Sequence, residues 1–405
     1  MADAPGRERA PATRRRAILA LLGVAELLGM SVWFSASALG PQLRAAWSLE
    51  ATQVGWLTAA VQLGFVVGTA AAALLNLADI VPARRYFAVS ALAAAAANAA
   101  LLAAGGFAPA LVSRFATGFF LAGVYPPAMK MIATWYRDGR GFAIGTVVGA
   151  LTVGKATPYL VSGLERAGVA PVVLVASAAA AAGGVLVLVG YRDGPFAFER
   201  RPFAWSLVGT VMHDRPVRLA IGGYLGHMWE LYAMWTWIAV FLASGAGLGQ
   251  RAADVAGFAA IAVGGAGCVV GGLVADRVGR ERLTIWAMAI SGACAAAIGL
   301  GAAWPAVTVA VALVWGFAVV ADSAQFSALV TELAPPHAVG TALTLQTSLG
   351  FLLTMASIQL VPHLVGAAGW RWAFVVLAAG PLAGIGAMRR LLRLRDRASA
   401  GERRS

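Results

Sequence analysis

Apolar runs of about 20 residues recur along the whole chain, and no other feature restricts its fold so severely. Each run, wound as a helix, crosses a hydrocarbon core of roughly 30 Å. Twelve are legible: 17–39, 52–75, 86–105, 109–133, 141–163, 170–190, 218–242, 254–275, 283–303, 305–330, 338–362 and 370–391. Barrel strands would be about half this length and would alternate in polarity. The expected fold class is therefore all-α integral membrane. Composition agrees, with 60% hydrophobic and 12% charged residues among 405. A secretory leader is not indicated at "SASA" (35–38), because the run before it exceeds a leader core and carries Glu26. Cys268 and Cys294 fall in separate spans, which indicates neither a disulfide framework nor a zinc motif.

The net charge of +13 is a topological signal and not a nucleic-acid footprint. With the N-terminus in the cytoplasm, 24 of the 31 basic residues fall on the cytoplasmic side. Four (Arg44, Arg166, Arg251, Arg371) fall outside and three lie within spans. This positive-inside bias expects both termini in the cytoplasm and a multi-pass protein of the bacterial inner membrane.

The chain also repeats. At an offset of 197 residues, "LADIVPARR" (77–85) lies over "VADRVGRER" (274–282), and "FLAGVYPPA" (120–128) over "FAVVADSAQ" (317–325). The expected organisation is an N-terminal six-helix bundle (1–190), a cytoplasmic linker (191–217) and a C-terminal six-helix bundle (218–405). "GLVADRVGR" (272–280) completes a G-x-x-x-D-R-x-G-R loop. The first-half loop keeps Asp79 and Arg84 but carries Leu75, Ile80 and Pro82 in place of glycine, arginine and glycine. With "RFATG" (114–118) as its R-x-x-x-G element, the chain resembles the major facilitator superfamily, whose two bundles enclose a central substrate path. "LAGVYPPAMKMIATWY" and "GHMWELYAMW" loosely resemble a bacterial subgroup of nitrate/nitrite- and cyanate-type permeases. The resemblance implies that Asp79, Arg84, Asp276, Arg277, Gly279 and Arg280 form gating loops that latch one bundle to the other. Asp276 is expected at a helix end on a glycine turn, where its carboxylate can meet a neighbouring helix N-terminus.

Six ionisable groups lie well inside spans: Glu26, Arg114, Lys155, His227, Glu230 and Asp322, on helices 1, 4, 5, 7, 7 and 10. An acidic residue at a span centre costs roughly 2.5–3.5 kcal/mol on insertion scales, so each needs a reason. In the resembling superfamily, helices 1, 4, 7 and 10 line the cavity and helix 5 flanks it. At 100° per residue Glu26 shares a face with Trp33, His227 and Glu230 share one with Trp237, and Arg114 aligns with Tyr125. Arg114, Lys155, Trp33, Tyr125 and Trp237 are the expected substrate-binding residues, with Arg114 the fixed charge and Lys155 the clamp or switch. Glu230 is the first candidate for a coupled proton, tuned by His227, with Glu26 and Asp322 behind it. Structural readings stand beside these. Arg114 can ligate helix carbonyls, Glu230 can stabilise its own bundle, and Glu26 can be neutral and hydrogen-bonded to serines.

The expected function is a secondary transporter working by alternating access, proton-coupled, for a small anionic organic solute. The alternative is a proton/drug antiporter, against which helix 5, "GTVVGALTVGKATP" (145–158), lacks the G-x-x-x-G-P-x-x-G-G element. Nitrate itself is disfavoured, because helix 2 offers only Gln62 and helix 8 no charge before Asp276. An enzyme or a sensor is disfavoured by the lack of a clustered nucleophile or metal motif and of an output domain. No cofactor and no metal is expected. The expected partners are the solute, a proton and the bilayer, with the chain acting as a monomer.

Overall fold

A computed structural model describes residues 12–75, 77–137, 139–164, 168–196 and 203–402, and every regular element among them is helical. The spans are α1 (Ala12–Gly29), α2 (Ala51–Leu74), α3 (Ala83–Ala103), α4 (Phe107–Ala133), α5 (Gly141–Leu164) and α6 (Val169–Gly190). After the connection come α7 (Arg215–Val240), α8 (Gln250–Val278), α9 (Arg280–Gly301), α10 (Pro305–Leu333), α11 (Pro336–Ala368) and α12 (Trp370–Arg397). Ten of these, among the described residues, are long and apolar enough to cross a membrane on those grounds alone. The two that fall short are α1 and α7. Arginines and Glu26 dilute the first, and His227, Glu230 and a run of Tyr and Trp dilute the second. Both are central helices, shielded from lipid by their neighbours, which is why they can carry polar groups.

The two halves are built alike. In the first, α1 packs on α5 and α6, α4 on α2 and α3, and α3 on α6. In the second, α7 packs on α11 and α12, α10 on α8 and α9, and α9 on α12. Glycine sets the closest approaches at equivalent places. Gly64 and Gly118 bring α2 and α4 together backbone to backbone, and Gly267, Gly271 and Gly316 do the same for α8 and α10. Any side chain at these positions would meet a carbonyl of the facing helix.

Between the halves, α5 lies along α8 and α2 along α11. The α5–α8 contact runs the full length of both helices. A Cβ at Gly149 would stand 2.7 Å from the Gly265 carbonyl, one at Gly145 3.1 Å from the Cys268 carbonyl, and one at Gly163 2.8 Å from Val255.

Among the described residues, α1, α4 and α10 are broken part-way along their length. α1 passes through a 3₁₀ turn at Met30–Val32 before resuming at Ser35–Ala38 and Gly40–Trp47. α4 breaks after Leu121 and resumes at Tyr125, whose followers Pro126 and Pro127 fit a first helical turn because no N–H is needed there. α10 breaks at Asp322, the position the 197-residue repeat lays over Tyr125. In the connection, Val208–His213 forms a short helix, and Asp214 caps α7 by accepting from the Val217 N–H at 2.9 Å.

Candidate functional site

A break in a membrane helix strands carbonyls where no water can serve them. At the α1 break those of Val32 and Trp33 are met by Arg114 of α4. Its Nη2 donates to the Val32 carbonyl at 3.1 Å and, in a short bond, to that of Trp33. Its Nη1 donates to Ser35 Oγ at 3.0 Å and to Asn98 Oδ1 at 2.8 Å. Asn98 of α3 also receives Ser35 Oγ at 2.5 Å and donates to Ser177 Oγ and the Val173 carbonyl of α6. Arg114 is fully buried within its own half and directs both terminal nitrogens at protein groups. Of the two sequence readings it takes the helix-carbonyl one.

Lys155 of α5 stands differently. Its Nζ crosses to the other half and donates to Tyr232 Oη of α7 at 2.6 Å. The ammonium lies 4.1 Å from the Trp33 ring centre, 4.9 Å from that of Tyr232 and 5.6 Å from that of Trp235. More rings knit the halves together here. Phe351 meets Trp33 at 5.7 Å and Phe65 at 4.8 Å, and Phe34 meets Trp235 at 6.0 Å. Further bonds close the space here and toward the end of the molecule away from both termini. Tyr159 Oη donates to the Trp235 carbonyl at 3.1 Å, Ser162 Oγ to Asp254 Oδ2 at 2.8 Å, and Thr354 Oγ1 to Gln62 Oε1 in a short bond.

The acids divide into three environments. Glu26 of α1 is fully buried, and neither carboxyl oxygen has a hydrogen-bond partner among the described residues, although it lies within electrostatic reach of Lys155. Glu230 of α7 turns into its own half, accepting from Ser291 Oγ of α9 at 2.8 Å and from Trp315 Nε1 of α10 at 2.7 Å. Asp322 sits at the α10 break, its Oδ1 2.9 Å from His227 Nδ1. The imidazole lies 5.6 Å from Phe326 and 6.0 Å from Tyr224, and its Nε2 has no partner among the described residues.

The remaining expected residues separate. Tyr125 begins the second part of α4 and is half-buried. Trp237 donates from Nε1 to the Ile358 carbonyl of α11 at 2.9 Å and packs near Gly55 of α2, so it belongs to the closed end. In the α8–α9 turn, Gly279 adopts φ +93°, a left-handed conformation that favours glycine. The Asp276 carboxylate faces the first turn of α5, with Oδ2 3.4 Å from where a Cβ of Gly141 would lie. Arg280 donates to Glu332 Oε1 at 2.8 Å and to Gln325 Oε1 at 2.6 Å, fastening the turn to α10. Arg277 and Arg84 are exposed, and the side chain of Asp79 lies outside the described residues.

Several residues of this network escaped the sequence reading, Asn98 and Asp254 among them. Asn98 carries no charge and lies on a helix outside those expected to line or flank the cavity. Asp254 stood at the edge of a span read as starting there, whereas α8 begins at Gln250 and places it in the second turn. A search for buried Asn within apolar runs would have found the first.

The chain matches the Major Facilitator Superfamily over residues 21–358. It belongs to that family. Among solved structures it is similar to a bacterial homologue of the human lysosomal transporter Spinster in its inward-facing, occupied conformation. That similarity has a TM-score of 0.72 and 16% identity, covering 95% of this chain and 98% of the other. The same homologue, inward-facing and unoccupied, gives a TM-score of 0.72 at 15% identity, covering 95% and 99%. At these identities the likeness establishes the fold. No curated protein sequence matches the chain. The superfamily assignment makes it a multi-pass membrane transporter.

Proposed function

We propose that the protein is a proton-coupled secondary transporter of a small organic solute, working by alternating access as a monomer in the bacterial inner membrane with both termini cytoplasmic. The bundles 1–190 and 218–405 rock against each other along the α5–α8 and α2–α11 contacts, tethered by 191–217. The bias of basic residues toward the termini side supports the orientation. The bonds of Tyr159 to Trp235 and of Ser162 to Asp254 close the end away from the termini.

One observation carries this reading. Lys155 reaches from one half to the other, and beside it Glu26 is buried with both carboxyl oxygens unpartnered. A buried carboxyl gives up its proton when a change of neighbours brings it a cation. Glu26 is therefore the coupled proton site, and the His227–Asp322 contact, 2.9 Å across, lies apart from it in the other half. Glu230, whose two oxygens are each occupied, holds α7 to α9 and α10.

The anionic reading now rests on Lys155 alone, since Arg114 is committed to the α1 break. The exchanger reading gains from the ring faces around the ammonium. Purified protein in liposomes under an imposed pH gradient tests the proposal. Glu26→Gln is expected to abolish uphill transport while sparing solute exchange, whereas Glu230→Gln is expected to retain coupling. Uphill transport surviving in Glu26→Gln would overturn the assignment.

A further inference from the structure

We infer that the aromatic box between the halves is a binding site for an organic ammonium, and that Lys155 fills it as a tethered stand-in for that ligand. The inference rests on the reading above, that solute binds between α1, α5 and α7.

The surroundings of the Lys155 ammonium argue for this chemistry. Three rings, Trp33, Tyr232 and Trp235, stand within about 6 Å of it, the range over which a cation is held by the negative face of a ring. Among the described residues its one acceptor is a phenol oxygen, Tyr232 Oη, and the neighbouring carboxyl of Glu26 makes no hydrogen bond to it. A lysine placed to clamp an anion would need its free N–H groups turned to open space. Here an anion beside Nζ would press against three electron-rich faces, which repel it. The same faces accept any ammonium, and rings assembled from both halves make the box complete only in the closed arrangement.

Lysine suits a stand-in because its stem is flexible and its charge is compact. Glu26 supplies the second position. Tyr125 on α4 and Cys268 on α8 are the further titratable groups near this pair. When an external ammonium enters the box, Lys155 swings to Glu26, and the carboxyl gives up its proton to form the ion pair. The balance closes without net charge. Before entry the site holds one protonated lysine and one neutral carboxyl. Afterwards it holds two ammonium groups and one carboxylate, and one proton has left. Such a site exchanges one organic cation for one proton.

The test is binding of benzyltrimethylammonium to the purified full chain by calorimetry, with benzoate as the anionic control. Lys155→Gln removes the stand-in and should strengthen binding of the cation by about tenfold or more, while Lys155→Arg should not. Tyr232→Phe keeps the ring but removes the oxygen that anchors Lys155, so it should strengthen binding about threefold even if Lys155→Gln does not fold. Trp33→Leu should abolish it. In weak buffer, wild-type protein should release about one proton per cation bound, and Lys155→Gln none. If Lys155→Gln and Tyr232→Phe leave cation binding unchanged or weaker, or if benzoate binds and Lys155→Gln removes it, the inference is overturned. Proton-driven transport that persists alongside that result would leave the proposed function standing. Cation binding that behaves as expected in a chain showing no proton-driven transport would sink the proposed function alone.

Discussion

Replacing Arg114 by lysine keeps a positive charge on α4 and removes the planar fork that serves four oxygens at once. A single ammonium cannot reach the Val32 and Trp33 carbonyls and the Ser35–Asn98 pair together, so at least two of the four bonds are lost. Hydrogen bonds to a charged group contribute about 1.5–3 kcal/mol each, which sets the expected loss at roughly 3–6 kcal/mol. An ordinary substitution costs about 1 kcal/mol. The two free cysteines, Cys268 and Cys294, are buried and supply the assay, because a thiol-reactive dye labels them only as the bundles open. Melting of the detergent-purified protein should fall by about 5 °C or more in Arg114→Lys. Asn98→Leu should destabilise in the same direction, since it leaves Nη1 short of an acceptor. If Arg114→Lys melts within about 1 °C of wild type and instead loses solute affinity, the guanidinium faces the substrate and does not hold the α1 break.

Three further outcomes follow from contacts described above. Glu230→Ala leaves the Trp315 N–H and the Ser291 hydroxyl buried without an acceptor, and should cost about 2–4 kcal/mol by the same thiol-labelling melt, whereas Glu230→Gln should cost much less. Gly149→Val, opposite the Gly265 carbonyl, should push α5 off α8 and slow solute counterflow at least tenfold, with melting changed less than in Glu230→Ala. Asp276→Asn removes a charge worth about 0.3–1 kcal/mol at the α5 N-terminus, so counterflow rates should change by roughly two- to fivefold with solute affinity unaltered. An affinity change at constant rate would contradict the latch.

How much of this was legible in the sequence depended on whether the signal was local. Helix positions, the α8–α9 turn and the pairing of Tyr125 with Asp322 are periodic or repeated features, and they stand in the chain as written. Partners are not local. The 100° rule places Glu230 and Trp237 on one stripe, yet Glu230 reaches Ser291 and Trp315 while Trp237 reaches α11, because neighbouring helices compete for each polar tip. The α1 break is equally silent. Met30–Phe34 holds neither Pro nor Gly, unlike the Pro126–Pro127 pair of α4, and the break is sustained by a guanidinium more than 80 residues away. Searching for charges also passed over Asn98, whose neutral amide organises α1, α3, α4 and α6.

The glycine-to-backbone contact between α5 and α8 has a mechanical meaning. Helices that mesh through large side chains must disengage knobs from holes before they tilt, and each step costs packing. At Gly145, Gly149 and Gly265 there are no knobs to lift, so the two backbones can roll on each other as smooth rods. Resistance to tilting is then concentrated at the ends of the rods, in Ser162–Asp254 at one and in Asp276 against the first turn of α5 at the other. In the proposed rocking of the halves, small polar groups at the two rims would set the time the molecule spends facing either side of the membrane, and substitutions there should retune its cycle without touching what it carries.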